Sequence, residues 1–222
     1  MPHGKLIVIE GLDGSGKATQ TGLLCEKLAG QKKDFCKLSF PDYNEPSSAL
    51  VKMYLNSEFG DSPEEVNVYA ASSFYAVDRY ASFKKFWSSN YESRQIIIAD
   101  RYTTSNAIYQ LCRLDKLCWD AYLTWLEDYE YCKLGLPRPD LVIYLDMPIE
   151  VSQKLMSQRY HGDDSRKDIH EKNVNFLKKC REAAMYTAKK LNWQVVPCSE
   201  AGLPKGVEVI SGAVEDIFWR HV

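Results

Sequence analysis

Apolar residues along this chain gather into five short runs: Leu6 to Ile9, Cys36 to Phe40, Ile96 to Ala99, Leu141 to Leu145 and Gln194 to Val196. Each is of strand length and rich in Ile, Val and Leu, without the polar alternation of a half-exposed strand. That is the pattern of parallel strands covered on both faces. The longer segments between them repeat their apolar positions every three to four residues. The order strand, helix, strand, helix predicts an α/β fold of three layers, a five-stranded parallel sheet flanked by helices. The clearest helix start is Ser62-Pro63-Glu64-Glu65, where Ser62 can cap, Pro63 suits the first turn and Glu65 can reach back to the cap amide. From there Val66, Tyr69, Ala70, Phe74, Val77 and Ala81 fall on one stripe, which predicts the buried face of a long helix.

With 222 residues the chain can bury one substantial core, and no repeat, low-complexity tract or linker divides it, so residues 1–222 read as a single domain. Hydrophobic residues at 45% and charged residues at 26% are globular values. No apolar run approaches the roughly 20 residues needed to cross a bilayer, and no signal-peptide stretch follows Met1; a cytoplasmic protein is expected. The formal charge of -2 gives no general pull toward nucleic acid or an anionic membrane, so anion recognition must be local. Seven cysteines with no C-x-x-C pair fit reduced thiols better than a disulfide framework or a zinc site. Trp119, Tyr122, Trp125, Tyr129 and Tyr131 form an aromatic cluster that suits either the core or a partner surface, with the core favoured. Arg159 to Lys172 carries many charges and almost nothing apolar, and reads as a loop or lid over about residues 158–170.

Directly after the first apolar run comes Gly11-Leu12-Asp13-Gly14-Ser15-Gly16-Lys17-Ala18-Thr19, followed by a helical segment with Leu23, Leu24 and Leu28. Strand, G-x-x-x-x-G-K and helix in that order make a P-loop. The glycines let successive amides turn inward toward phosphate oxygens, Lys17 supplies a point charge, and the helix adds its positive N-terminal end. A nucleoside triphosphate, ATP, is the expected ligand. Ala18 stands where the motif has the Ser or Thr that binds Mg2+, so metal binding would fall to the nucleotide's own oxygens, to water and to an acid elsewhere. The third run ends in Asp100-Arg101-Tyr102, at the strand ends where ligands of open parallel sheets bind. Asp100 is thus the candidate for Mg2+ or its waters, and Arg101 for a phosphate in transfer.

Taken together, several stretches resemble the thymidylate kinases among the nucleoside monophosphate kinases. They are Glu10 to Lys17, Phe40-Pro41, Phe74 with Asp78-Arg79, Asp100-Arg101-Tyr102 with Ser105-Asn106 and Tyr109, and Pro137 to Leu141. The resemblance implies transfer of a phosphoryl group from ATP to dTMP, with Mg2+ as cofactor, in a homodimer that contacts no nucleic acid polymer and no membrane. Lys17, Asp100, Arg101 and a lid arginine, Arg159 or Arg166, would act on the transferred group. Phe74 would stack on the thymine ring, Arg79 and Asn106 would contact its polar edge, Tyr109 would pack near C2', and Asp13 would meet the 3'-hydroxyl. Phe40, Tyr43 and Arg101 complete the expected acceptor site. By periodicity alone Phe74 would simply belong to the core stripe. One departure concerns the acceptor side, where the family commonly has an arginine after Phe-Pro and this chain reads Asp42-Tyr43-Asn44. A carboxylate there must point away, pair with a cation such as Arg101, or face a different acceptor.

Overall fold

The computed structural model describes residues 3–60, 62–159 and 174–222. Its centre is a five-stranded sheet of β1 (Lys5–Gly11), β2 (Phe35–Ser39), β3 (Ile96–Asp100), β4 (Leu141–Asp146) and β5 (Gln194–Pro197), in the order β2-β3-β1-β4-β5. Every pairing is parallel. All five expected strands are present, with bounds shifted by a residue or two. A two-residue hairpin, β6 (Ser199–Glu200) and β7 (Leu203–Pro204), lies apart from this sheet. The helices are α1 (Lys17–Gly30), α2 (Ala49–Leu55), α3 (Val68–Ser82), α4 (Ser88–Glu92), α5 (Asn106–Tyr109), α6 (Trp119–Glu127), α7 (Ile149–Arg159), α8 (Val174–Lys190) and α9 (Val207–His221).

Successive side chains of a strand point to opposite faces, so the apolar run of β1 serves two cores. Ile7 and Ile9 pack with Leu24 and Leu28 of α1 and with Ile210, Val214 and Phe218 of α9. Leu6 and Val8 face the other way, toward Trp87, Tyr91, Ile108, Tyr122, Leu177 and Ala184. Continuous rather than alternating hydrophobicity is what a strand sandwiched between two helical layers requires. In the register, Ile9 lies beside Asp100 and Gly11 beside Leu145, so β1, β3 and β4 end at one edge of the sheet. No helix among the described residues is long and apolar enough to cross a membrane.

Two expectations need correction. The capping box at Ser62 forms, with Glu64 N donating to Ser62 Oγ at 3.2 Å and Ser62 N donating to Glu65 Oε1 at 3.1 Å. It closes only a single 3-10 turn, Pro63–Glu65. Val66 then runs extended (φ -95, ψ 125), and its carbonyl accepts from Arg113 instead of from a helical amide. Asn67 caps the long helix, its Oδ1 accepting from Tyr69 N at 2.8 Å, so that α3 begins at Val68. The buried face of α3 is also not the expected stripe. Tyr69 and Val77 are each 40% exposed, while Ser72, Asp78 and Arg79 are buried beside Ala71 and Ala76. This helix turns a polar side inward, where Tyr122, Ser47 and Glu130 from other elements satisfy Ser72, Asp78 and Arg79.

The aromatic cluster divides. Trp119 and Tyr122 are buried and Tyr131 packs against the core. Trp125 also packs half-buried against the core, and Tyr129 stacks on it, their ring centres 5.2 Å apart.

Candidate active site

Where β1, β3 and β4 end, the chain leaves a cavity of about 530 Å³, the size of pockets that hold small molecules. Of the P-loop, Asp13, Gly14, Gly16, Lys17, Ala18 and Thr19 line it. Gly11 ends β1, and Ser15 is buried beneath, its Oγ without a hydrogen bond among the described residues. Gly14 (φ +76) and Gly16 (φ +89) adopt the left-handed backbone that turns the loop, a conformation costly for any residue with a Cβ. Gly14 also lies close under α7: a Cβ there would stand 3.0 Å from the Ser152 carbonyl oxygen.

Lys17 is only 7% exposed, and its Nζ donates to Leu12 O at 3.0 Å and lies 3.8 Å from Asp13 Oδ1. Burial pushes its pKa below the ordinary lysine value, helped by the positive charge of Arg101 and opposed by Asp13, Asp100 and Glu10. An ammonium with so little solvation is under-compensated until an anion arrives, which suits a phosphate ligand.

Arg101, just past the end of β3, has the left-handed φ of +67. Its guanidinium pairs with Asp13, lies 3.6 Å from Glu10 Oε1 and sits over the Tyr109 ring, 5.3 Å from its centre. Burial opposes its charge, yet Asp13 and the other surrounding groups outweigh burial and hold the pKa well above the ordinary value. Glu10 anchors this corner. It is fully buried and accepts from Thr104 Oγ1 at 2.7 Å, Ser105 Oγ at 2.8 Å and Gly11 N at 3.0 Å. Tyr109 donates to Asp13 Oδ2 at 2.9 Å, and burial raises its pKa far above that of a free phenol.

Phe40, Pro41, Tyr43, Tyr75, Arg79, Asn106 and Gln110 line the same cavity. Phe40 is buried and Tyr43 is half exposed. Arg79 is 2% exposed and gripped by Glu130, with Nε donating to Oε2 at 2.7 Å and Nη2 to Oε1 at 2.6 Å. Burial works against its charge, but Glu130 prevails and its pKa is raised. Asn106 Nδ2 donates to Ser72 O at 3.1 Å and to Glu130 Oε1 at 3.0 Å.

Phe74 does not stand where the resemblance implied. Its ring packs on Phe59 (5.4 Å between centres) and Tyr54 (6.4 Å), outside the cavity lining, and the aromatic residue of α3 that lines the cavity is Tyr75. The signal was available, because Tyr75 precedes Arg79 by four residues, one helical turn, whereas Phe74 precedes it by five. Glu130 was also missed. It sits in a π-helical turn, Asp128–Lys133, between Tyr129 and Tyr131, where nothing in the sequence marks it as buried. Asp42 resolves the acceptor-side departure by pointing to its own backbone. Its Oδ1 accepts from Asn44 N at 3.2 Å, its amide donates to Asp78 Oδ2 at 3.0 Å, and it is not among the cavity-lining residues. Arg101 is therefore left to Asp13 and Glu10. Residues 160–170 of the expected lid, Arg166 with them, lie outside the described residues. Arg159 is the last residue of α7, and its side chain lies outside them too.

Asp100 lines the cavity beside Lys17, and its carboxylate has no hydrogen bond or ion pair among the described residues. It is therefore open to a cation or to a cation's water. No group of three potential metal-ligand side chains occurs among the described residues.

A P-loop with a desolvated lysine and an adjoining arginine at the strand ends, in one cavity with Tyr75, Arg79 and Asn106, has the parts of a P-loop phosphotransferase. The family model for thymidylate kinase matches residues 9–203, and the chain belongs to that family, whose members are nucleoside monophosphate kinases. It is 31% identical over 187 residues to the thymidylate kinase of Mycobacterium tuberculosis, covering 82% of this chain and 83% of that protein. It is 31% identical over 199 residues to a probable thymidylate kinase of Saccharolobus solfataricus, with 88% and 89% covered. A solved thymidylate kinase structure from Candida albicans shares the fold, with a TM-score of 0.72 and 24% identity over 98% of this chain and 92% of that one.

Proposed function

We propose that the protein transfers the γ-phosphoryl group of ATP to the 5'-phosphate of dTMP, giving dTDP and ADP. The carrying observation is that one cavity joins the P-loop, with Lys17 and Arg101, to Tyr75, Arg79 and Asn106, in a chain of this family. An acceptor phosphate oxygen attacks the γ-phosphorus in line as ADP leaves, so no protein nucleophile takes part. The loop amides and Lys17 hold the donor, and Arg101, fixed by Asp13 and Glu10, faces the group in transit. Mg2+ would be held by nucleotide oxygens and water with Asp100, and when bound it would neutralise phosphate charge. Tyr75, in place of Phe74, is the ring suited to stack on the base. Asp13 and Tyr109, bonded to each other, suit the sugar. Arg159 and Arg166 stay in the proposal as donors from the lid.

Residues 1–222 are proposed to act as one domain. A homodimer is supported by the exposed apolar side of α3, where Tyr69, Val77 and Tyr80 are 38–40% exposed. A reducing, cytoplasmic setting is supported by seven free cysteines, including Cys112 and Cys180 with sulfurs 3.3 Å apart and no bond between them. The test is ADP release coupled to a reporter, with ATP and Mg2+ and with dTMP, dUMP, dCMP, dGMP, UMP, AMP and thymidine offered separately. dTMP should be the best acceptor, and Lys17→Ala should reduce turnover to background. Equal rates on all acceptors, or preference for a purine, would overturn the assignment.

A further inference from the structure

Glu130 has no exposed surface and does not line the cavity, yet both of its oxygens are spent on two residues that do. Oε2 accepts from Arg79 Nε, and Oε1 accepts from Arg79 Nη2 and Asn106 Nδ2. A carboxylate only accepts hydrogen bonds, and so does the Ser72 carbonyl on the other side of Asn106. The amide of Asn106 thus has one orientation compatible with its surroundings, NH2 turned back toward Glu130 and Ser72, which leaves Oδ1 as the atom it can offer elsewhere. Arg79 has spent Nε and one Nη2 hydrogen on Glu130 and an Nη1 hydrogen on Tyr102 O at 3.3 Å, and its remaining N–H groups are donors.

We infer that Glu130 is a positioning residue for acceptor specificity: it fixes Arg79 as a donor beside Asn106 as an acceptor, a pair that complements a 4-oxo pyrimidine with a proton on N3. A 4-amino pyrimidine carries the reverse pattern, a donor at position 4 and an acceptor at N3, and meets donor with donor and acceptor with acceptor. Buried polar groups left unpaired in this way are what give a hydrogen-bonding site its strong rejection of near-isosteres. Lys17 and Arg101 are held by Leu12, Asp13 and Glu10 and not by Glu130. The inference rests on the dTMP reading of the site.

The experiment compares kcat and KM for dTMP and dCMP in the wild type, Glu130→Gln and Glu130→Asp. In Glu130→Gln one carboxylate oxygen becomes an NH2 group that faces a donor of Arg79, so the guanidinium loses one of its two fixing bonds and is no longer held as a donor beside Asn106. The expected result is that the dTMP to dCMP ratio of kcat/KM falls about tenfold or more in Glu130→Gln, with the loss on dTMP residing mainly in KM. Glu130→Asp, which keeps the charge, should retain part of the discrimination. A folded Glu130→Gln protein whose rates on both acceptors fall together, with the ratio unchanged, overturns the inference and leaves Glu130 a structural residue. Should neither variant fold, the side-chain amide of Asn106 is followed by NMR in the unaltered enzyme. Slow hydrogen exchange without ligand supports the fixed orientation, and rapid exchange overturns it. A wild type that leaves dTMP untouched is a different result, which removes the functional reading itself.

Discussion

Alanine in place of Gly14 probes the P-loop at its tightest point. The backbone there has φ +76, a conformation that costs an L-residue about 1–2 kcal/mol. The new Cβ would also lie 3.0 Å from the Ser152 carbonyl oxygen, 3.0 Å from Met156 Cγ and 3.2 Å from Ser152 Cβ. Met156 can swing aside, but the carbonyl belongs to the first turns of α7 and cannot, so overpacking of about 1–3 kcal/mol adds to the conformational term. Gly14→Ala should then cost about 2–5 kcal/mol. Gly16 is the control: its φ of +89 is equally left-handed, but a Cβ there meets nothing within 4 Å, so Gly16→Ala should cost only the conformational term of about 1–2 kcal/mol. For a chain of this size, about 2–4 °C of Tm goes with each kcal/mol, which gives losses of about 4–20 °C and about 2–8 °C. Thermal unfolding of both variants in one buffer without nucleotide reads the difference. If Gly16→Ala proves as destabilising as Gly14→Ala, the close seating of the loop under α7 is wrong.

Lys17→Met should abolish turnover while leaving Tm unchanged or higher, since the variant removes a charge that burial disfavours; a large drop in Tm would mean that Lys17 is structural. Asn67→Ala should cost about 1 kcal/mol through loss of the α3 cap, measured by urea denaturation, and no loss would remove the capping assignment. Tyr102, Tyr109, Tyr122, Tyr131 and Tyr144 all have pKa values raised by burial. The folded chain therefore keeps protons that the unfolded chain releases near pH 10, so their contribution to stability is intact below pH 10 and is lost as pH rises above it. Phenolate absorbance from these residues should appear together with loss of circular dichroism at alkaline pH, and titration of all the tyrosines while the fold persists would contradict their burial.

The sheet was legible because its strands are buried on both faces, so that Leu6 to Ile9 or Leu141 to Leu145 need no periodicity to be found. The P-loop was legible because the glycines and Lys17 occupy fixed offsets between a strand and a helix. The inward face of α3 was not. Hydrophobic periodicity assumes that what points inward is apolar, and here Ser72, Asp78 and Arg79 point inward because Tyr122, Ser47 and Glu130 satisfy them from other elements. Those partners are 31 to 51 residues away, beyond the reach of local pattern. The π-helical turn Asp128–Lys133 departs from the 3.6-residue repeat and carries Glu130 into the core. Asp42 looked out of place beside an acceptor phosphate because a sequence shows a side chain's charge and not its direction; its local bond to Asn44 N turns it away.

The most direct test of the account is to follow the transferred phosphorus itself. ATP labelled at its γ-phosphorus is incubated with the protein, dTMP and Mg2+, and the nucleotides are separated. The account predicts label in the β-phosphate of dTDP, formed in step with ADP and absent with Lys17→Ala. Label appearing only as inorganic phosphate, or on no pyrimidine nucleotide, would contradict it.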